Sequence, residues 1–166
     1  NEIAQRRRLL VVEDAALAIG AKYRSRGLGS LGSLGTLSFH FTKGISCGEG
    51  GALCINDTEL VERAETMRDK GTNRSQFLRG QIDKYTWVDV GSSAVPNELA
   101  CAFLLAQLES MDRIADRCRK ICARYQHAFA DLESRGVVQL PVCPDHCQPN
   151  HHMFYIVLPD RSTRDG

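Results

Sequence analysis

Apolar positions come first in a block. Leu9-Leu10-Val11-Val12 is unbroken, between Arg6-Arg7-Arg8 and Glu13-Asp14. Such a run predicts a strand covered on both faces, as in a parallel sheet. Asn1–Arg8 before it reads as the end of a helix, with Ile3 inward and the arginines on a solvated face. Further on, Leu37-Ser-Phe-His-Phe41 alternates as a strand does, and Ala52–Ile55 is a second short strand. Leu60, Val61, Ala64 and Met67 recur at helical spacing. That helix is predicted to start at a cap on Asp57 or Thr58 and to run to about Lys70, with Gly71 as its stop. Residues 72–95 show no period and are rich in Gly, Ser, Asn, Arg and aromatics, which predicts a long functional loop. Pro96 and Asn97 open a stretch without Gly or Pro as far as Arg135, so one long helix or two abutting helices are predicted. Ile114, Cys118, Ile121, Cys122, Tyr125, Phe129 and Leu132 form its apolar stripe, read as core or subunit interface. Gly136 ends it, and Val137–Leu140 and Met153–Leu158 read as strands around a Pro/Cys/His loop.

Composition changes this picture little. The 166 residues are one domain's worth, 43% hydrophobic and 25% charged, which is globular and not disordered. Lys plus Arg is 21 against 20 for Asp plus Glu, a balance that argues against a dedicated nucleic-acid binder. No apolar run approaches the roughly 18–20 residues needed to cross a bilayer. No signal peptide opens the chain. The start at Asn1 and the polar stretch 161–166 are read as cuts within a longer protein.

The seven cysteines (47, 54, 101, 118, 122, 143 and 147) are odd in number and not spaced as a disulfide scaffold. Two pairs have CxxxC spacing, 118/122 and 143/147. A zinc site needs four converging ligands, and i,i+4 cysteines share a helix face in any case. Reduced, structural thiols are the reading, with no metal, and they fit a cytoplasmic protein.

Candidate chemistry gathers at strand ends. Glu13 and Asp14 follow the first apolar run, where open α/β sheets carry ligands. Gly27, Gly29 and Gly32 satisfy GxGxxG, but the motif should leave a strand and open a helix; here it runs into a strand, so it is a glycine-rich connection. Ser38 and Lys43 bracket the next strand-to-loop transition, and Cys47-Gly-Glu-Gly-Gly51 follows. As a spacing rule this is weak. As a chemical set it suits pyridoxal 5′-phosphate (PLP), which needs a lysine amine, an acid on its ring nitrogen, and hydroxyl or N–H donors for its phosphate. His40, on the strand face of Ser38, is read as a packed, hydrogen-bonded structural residue.

Three blocks, Val11-Val-Glu-Asp-Ala-Ala16, Leu37-Ser-Phe-His-Phe-Thr-Lys43 and Gly48-Glu-Gly-Gly-Ala52, resemble the sugar-nucleotide aminotransferases of the DegT/DnrJ/EryC1/StrS family. The likeness covers essentially the whole chain. It implies an α/β fold, the PLP-dependent transferase fold type I of aspartate aminotransferase. Residues 1–105 would be the C-terminal part of the PLP-binding large domain, and 106–166 the connecting helix and part of the small domain. Lys70–Phe77, Arg79–Trp87, Gly91-Ser-Ser93 and Asn150–Tyr155 narrow the resemblance to enzymes that make dTDP-4-amino-4,6-dideoxygalactose for enterobacterial common antigen.

The resemblance implies that Lys43 holds PLP as a Schiff base and shuttles a proton. Asp14 would pair with the ring nitrogen, and Ser38 would bind the phosphate. Ser93 stands where relatives place an Asn that reaches the cofactor of the neighbouring subunit, which implies a homodimer with shared active sites. The amino group of L-glutamate would pass to C4 of dTDP-4-keto-6-deoxyglucose.

Leu17, Gly44 and Phe41 depart from the family pattern, which has Gln or His, Asn, and a smaller or acidic residue there. The family's N-terminal portion is absent, so these residues alone are expected to bind PLP poorly and not to turn over. Three rival readings stay open. They are an aminotransferase for another nucleotide sugar such as a perosamine, a catalytically silent dimerisation or interaction module, and a metal-binding module.

Overall fold

The structure is a computed structural model and describes residues 1–165. Its larger sheet is built on strand β4 (Leu34–Ser38), with β1 (Val12–Asp14) on one side and β5 (Gly51–Ile55) on the other. β1 runs parallel to β4, with Val12 opposite Leu34 and Asp14 opposite Thr36. β5 is antiparallel, from Leu34 opposite Ile55 to Ser38 opposite Gly51. The short helix α1 (Glu2–Arg7) precedes them.

Two strands have other limits than the hydrophobic pattern predicts. The first begins at Val12. Leu9, Leu10 and Ile3 are 61%, 62% and 70% exposed, so the apolar run lies ahead of the strand and Ile3 does not face inward. The chain leaves α1 through Arg8 at φ 53, and Ser33 and Leu34 N–H both bond to the Val11 carbonyl, so pairing starts only there. The second strand ends at Ser38 instead of Phe41. Phe39 turns into the core at 4% exposed, while Phe41 is 70% exposed.

After β5, Asp57 caps a single 3₁₀ turn, Thr58–Leu60, by accepting from the Glu59 N–H, and α2 (Val61–Arg68) continues from it. The expected apolar stripe is not what α2 buries. Thr66, Asp69 and Thr72 are buried and Met67 is 44% exposed. The reason is polar. The segment 87–93 folds back on the end of α2, with Ser92 N–H bonding Met67 O at 2.8 Å and Val88 N–H bonding Gly71 O at 2.8 Å. The predicted loop 72–95 therefore has structure of its own: a five-residue helix α3 (Arg74–Leu78) and single bridges Thr72–Trp87 and Asp69–Ser93.

The glycine- and proline-free stretch forms two helices, α4 (Glu98–Glu109) and α5 (Met111–Ser134), broken at Ser110. Asn97 Oδ1 accepts from Ala100 N–H at 2.9 Å, which satisfies one free donor of the first turn. α4 runs unbroken through position 105, where the sequence places its domain join. The two strands expected after Gly136 reduce to one pair, Gln139–Val157, with reciprocal bonds of 2.9 Å. The strand that forms is instead β6 (Cys147–Gln148), antiparallel to β2 (Lys22–Tyr23), which also pairs with β3 (Arg26–Gly27). A short helix, α6 (Arg161–Asp165), closes the described chain.

Burial is sparse. Ala15, Phe39, Ile45, Cys122, Val138 and Leu140 are the buried apolar residues. Leu99 and Phe103 on α4 are 84% and 56% exposed. No helix among the described residues is long and apolar enough to cross a membrane.

Candidate cofactor site at the strand ends

Parallel pairing sends β1 and β4 out of the sheet at the same edge. Asp14 ends β1 opposite Thr36, and Ala15 N–H bonds Thr36 O at 3.0 Å. Ser38 ends β4 two residues later. The chain then turns, with Lys43 N–H on His40 O at 2.9 Å, Cys47 N–H on Phe39 O at 2.9 Å and Phe39 N–H on Gly50 O at 2.8 Å. Ile45, 3% exposed, pins this turn to the core. An acid, a hydroxyl and an amine thus stand on the two strand ends and the turn between β4 and β5.

Each of the three is free for outside chemistry. Asp14 is exposed, and among the described residues its Oδ1 accepts only from Ala16 N–H, at 3.2 Å. Ser38 is half-buried, and its Oγ accepts from His40 N–H at 3.4 Å. Lys43 is half-buried, and among the described residues its amine makes no hydrogen bond or ion pair.

His40 is tied locally. Thr42 N–H donates to its Nδ1 (3.3 Å), and its Nε2 lies 3.4 Å from the Glu49 carboxylate. Its ring also packs on Phe41, centroids 4.2 Å apart. Ser93 is exposed, and the structure pairs its backbone with Asp69 beyond the end of α2. No hydrogen bond among the described residues joins it to Asp14, Ser38 or Lys43.

Two contributors escape the sequence reading. Asn150 reaches back over more than a hundred residues, and its Nδ2 donates to Leu17 O (2.7 Å) and Ile19 O (3.0 Å). Its Oδ1 accepts from His152 N–H at 3.1 Å. Beside Lys43, a side chain on Gly44 would meet His152 Nδ1 at 3.5 Å. Gly20, Gly44, Ile45, Asn150 and His152 line a groove of ≈ 400 Å³ here. The second contributor is Glu13. Burial pushes its carboxyl up, but N–H donors from Gly32, Gly29 and Leu31, with the charge of Arg26, hold it below the usual carboxylate range. Only the block Asn150–Tyr155 and the Glu13-Asp14 pair marked these residues beforehand, and neither signal says what they hold.

The seven cysteines are free thiols. Cys118 and Cys122 share a face of α5 and line an open groove with Tyr125 and Phe129. Burial, with the charge of Cys118, pushes the Cys122 thiol up. Among the described residues no three His, Cys, Asp or Glu side chains converge as metal ligands.

The DegT/DnrJ/EryC1/StrS aminotransferase family matches residues 1–166. The chain belongs to this family. Curated relatives include a pleiotropic regulatory protein of Geobacillus stearothermophilus, 34% identical over 92% of this chain and 38% of its own length. The dTDP-3-amino-3,4,6-trideoxy-alpha-D-glucose transaminase of Streptomyces venezuelae is 33% identical over 94% of this chain and 38% of its own length. The GDP-perosamine synthase of Caulobacter vibrioides is 35% identical over 81% of this chain and 34% of its own length. Among solved structures, the aminotransferase TlmJ of Streptoalloteichus hindustanus matches with a TM-score of 0.85 at 26% identity, covering 99% of this chain and 42% of that one. The DegT/DnrJ/EryC1/StrS chain described here is therefore a partial α/β unit of the fold type I transferases, and the family's aminotransferases are PLP-dependent. It spans about two fifths of its relatives' length. Its donor set suits that cofactor: a carboxylate for a ring nitrogen, a hydroxyl for a phosphate and an unengaged amine for an aldehyde.

Proposed function

We propose that this chain supplies the lysine-bearing part of the active site of a PLP-dependent sugar-nucleotide aminotransferase. One observation carries the reading: the parallel register of β1 and β4 sets Asp14 and Ser38 on one edge, with the free amine of Lys43 in the turn that follows. Asp14 would pair with the ring nitrogen, and Ser38 would bind the phosphate. Lys43 would hold the cofactor through its amine and would be the group placed to move a proton at the substrate carbon. Bound PLP supplies the electron sink that makes this carbon acidic. Ser93 serves the neighbouring subunit's site in a homodimer. Residues 1–105 belong to the large domain and 106–166 to the connecting helix and small domain, with the helix break at Ser110 close to that join.

The substrate we propose is dTDP-4-keto-6-deoxyglucose, aminated at C4 to dTDP-4-amino-4,6-dideoxygalactose with L-glutamate as donor. The segment 70–93 supports this. The likeness to a GDP-perosamine synthase supports a second reading, a GDP-linked 4-keto sugar. The test is amino transfer by the full-length protein, loaded with L-glutamate and offered either keto sugar. Faster transfer to the dTDP sugar is expected. Preference for the GDP sugar contradicts the first reading, and transfer to neither favours a catalytically silent interaction module.

A further inference from the structure

Among the described residues Asp14 has no strong tie of its own. It ends a three-residue strand at the sheet's edge, and among the described residues its carboxylate accepts a single bond, from Ala16. The next residue back is different. Glu13 lies on the opposite face, since strand side chains alternate. Its Oε2 accepts from Gly29 N–H at 2.9 Å, and its Oε1 accepts from Gly32 N–H at 2.6 Å and from Leu31 N–H. The loop that donates these bonds is held from the other side as well. Asn56 Nδ2 donates to Gly29 O and Gly32 O, both at 3.0 Å, and Asn56 N–H bonds Ser33 O at 2.9 Å. The glycine loop thus gives its N–H groups to β1 and its carbonyls to the end of β5. It also presses on the sheet, because a side chain on Gly32 would meet Val11 O at 2.6 Å.

We infer that Glu13 is a positioning residue: its carboxylate clamps β1 to the glycine loop and so fixes where Asp14 stands. This rests on the cofactor reading above. A carboxylate can accept all three bonds, whereas an amide must turn its NH₂ toward at least one N–H. Glu13→Gln therefore breaks the clamp on one side and leaves Asp14 untouched in sequence. If Asp14 moves, the ring nitrogen loses its anionic partner and its proton. The nearby Schiff-base nitrogen is then easier to protonate, because a positive neighbour has gone.

The experiment is a pH titration of cofactor absorbance in the full-length holoprotein, with urea unfolding in parallel. Parent, Glu13→Gln, Asp14→Asn and Asn56→Ala are compared. Asp14→Asn should move the absorbance midpoint up, and Glu13→Gln should move it in the same direction by roughly one pH unit. Asn56→Ala, which loosens the same loop without releasing β1, should lower stability and leave the midpoint in place. Three results overturn the inference: Glu13→Gln loses stability with no shift, Asn56→Ala shifts as much as Glu13→Gln, or Glu13→Gln shifts opposite to Asp14→Asn. A parent with no absorbance band on adding PLP removes the cofactor reading itself, and this inference with it.

Discussion

Gly35 is a position where one methyl group should do clear harm. It lies in β4, buried beneath the glycine loop, and an added Cβ would sit 2.2 Å from Gly29 O and 2.5 Å from Gly29 Cα. Ordinary contact begins near 3.4 Å, so the loop or the strand must give way by about 1.2 Å. The obstacle is backbone, so no rotamer change relieves it. The loop cannot retreat freely, because Gly29 N–H is held by Glu13 and Gly29 O by Asn56. Losing one charged and one neutral hydrogen bond costs about 2–4 kcal/mol. The control lies in the same glycine-rich stretch. Gly27 has nothing within 4 Å of an added Cβ, so Gly27→Ala should be neutral or gain about 0.4–1 kcal/mol by restricting the unfolded chain. Urea unfolding of the full-length protein, read as a change in midpoint at constant slope, compares the two. A Gly35→Ala variant within about 0.5 kcal/mol of the parent would refute the reasoning.

Other expectations follow from the same contacts. Glu13 titrates in the folded chain below its ordinary value, so its contribution to stability is complete above about pH 4.5 and is lost as pH falls through the lower folded value. The urea midpoint of the parent should therefore fall below pH 4.5 more steeply than that of Glu13→Gln, and parallel curves would contradict this. Asn150→Ala removes two bonds that tie Leu17 and Ile19 to the C-terminal loop, and should cost about 1–2 kcal/mol, with faster amide exchange at residues 18–21. Unchanged exchange there would show the tether to be idle.

The fold class and the positions of the candidate residues were more legible than the limits of the strands. Asp14, Ser38 and Lys43 carried their meaning in flanking residues, and the structure sets them on neighbouring strand ends and the following turn. Strand limits were harder to read, because Leu9–Val12 has the hydrophobicity of a covered strand but no partner for its first residues among those described. The helix stripe misled at Met67, since α2 meets a polar, hydrogen-bonded segment and buries Thr66 instead. α3 was hidden because five residues are too few to show a period. Asn150 and Glu13 act on backbone groups far away in sequence, and single-chain patterns carry no record of such partners. The glycines show the converse. GxGxxG as a formula pointed nowhere, yet Gly32 and Gly35 each lie where any side chain would strike the backbone of a neighbouring segment.

Lys43 is the residue proposed to take the cofactor. The full-length protein, mixed with PLP, reduced with borohydride and digested, should yield a pyridoxyl adduct on the peptide containing Lys43, and Lys43→Ala should abolish it. An adduct on another lysine, or none in the parent protein, would contradict the account.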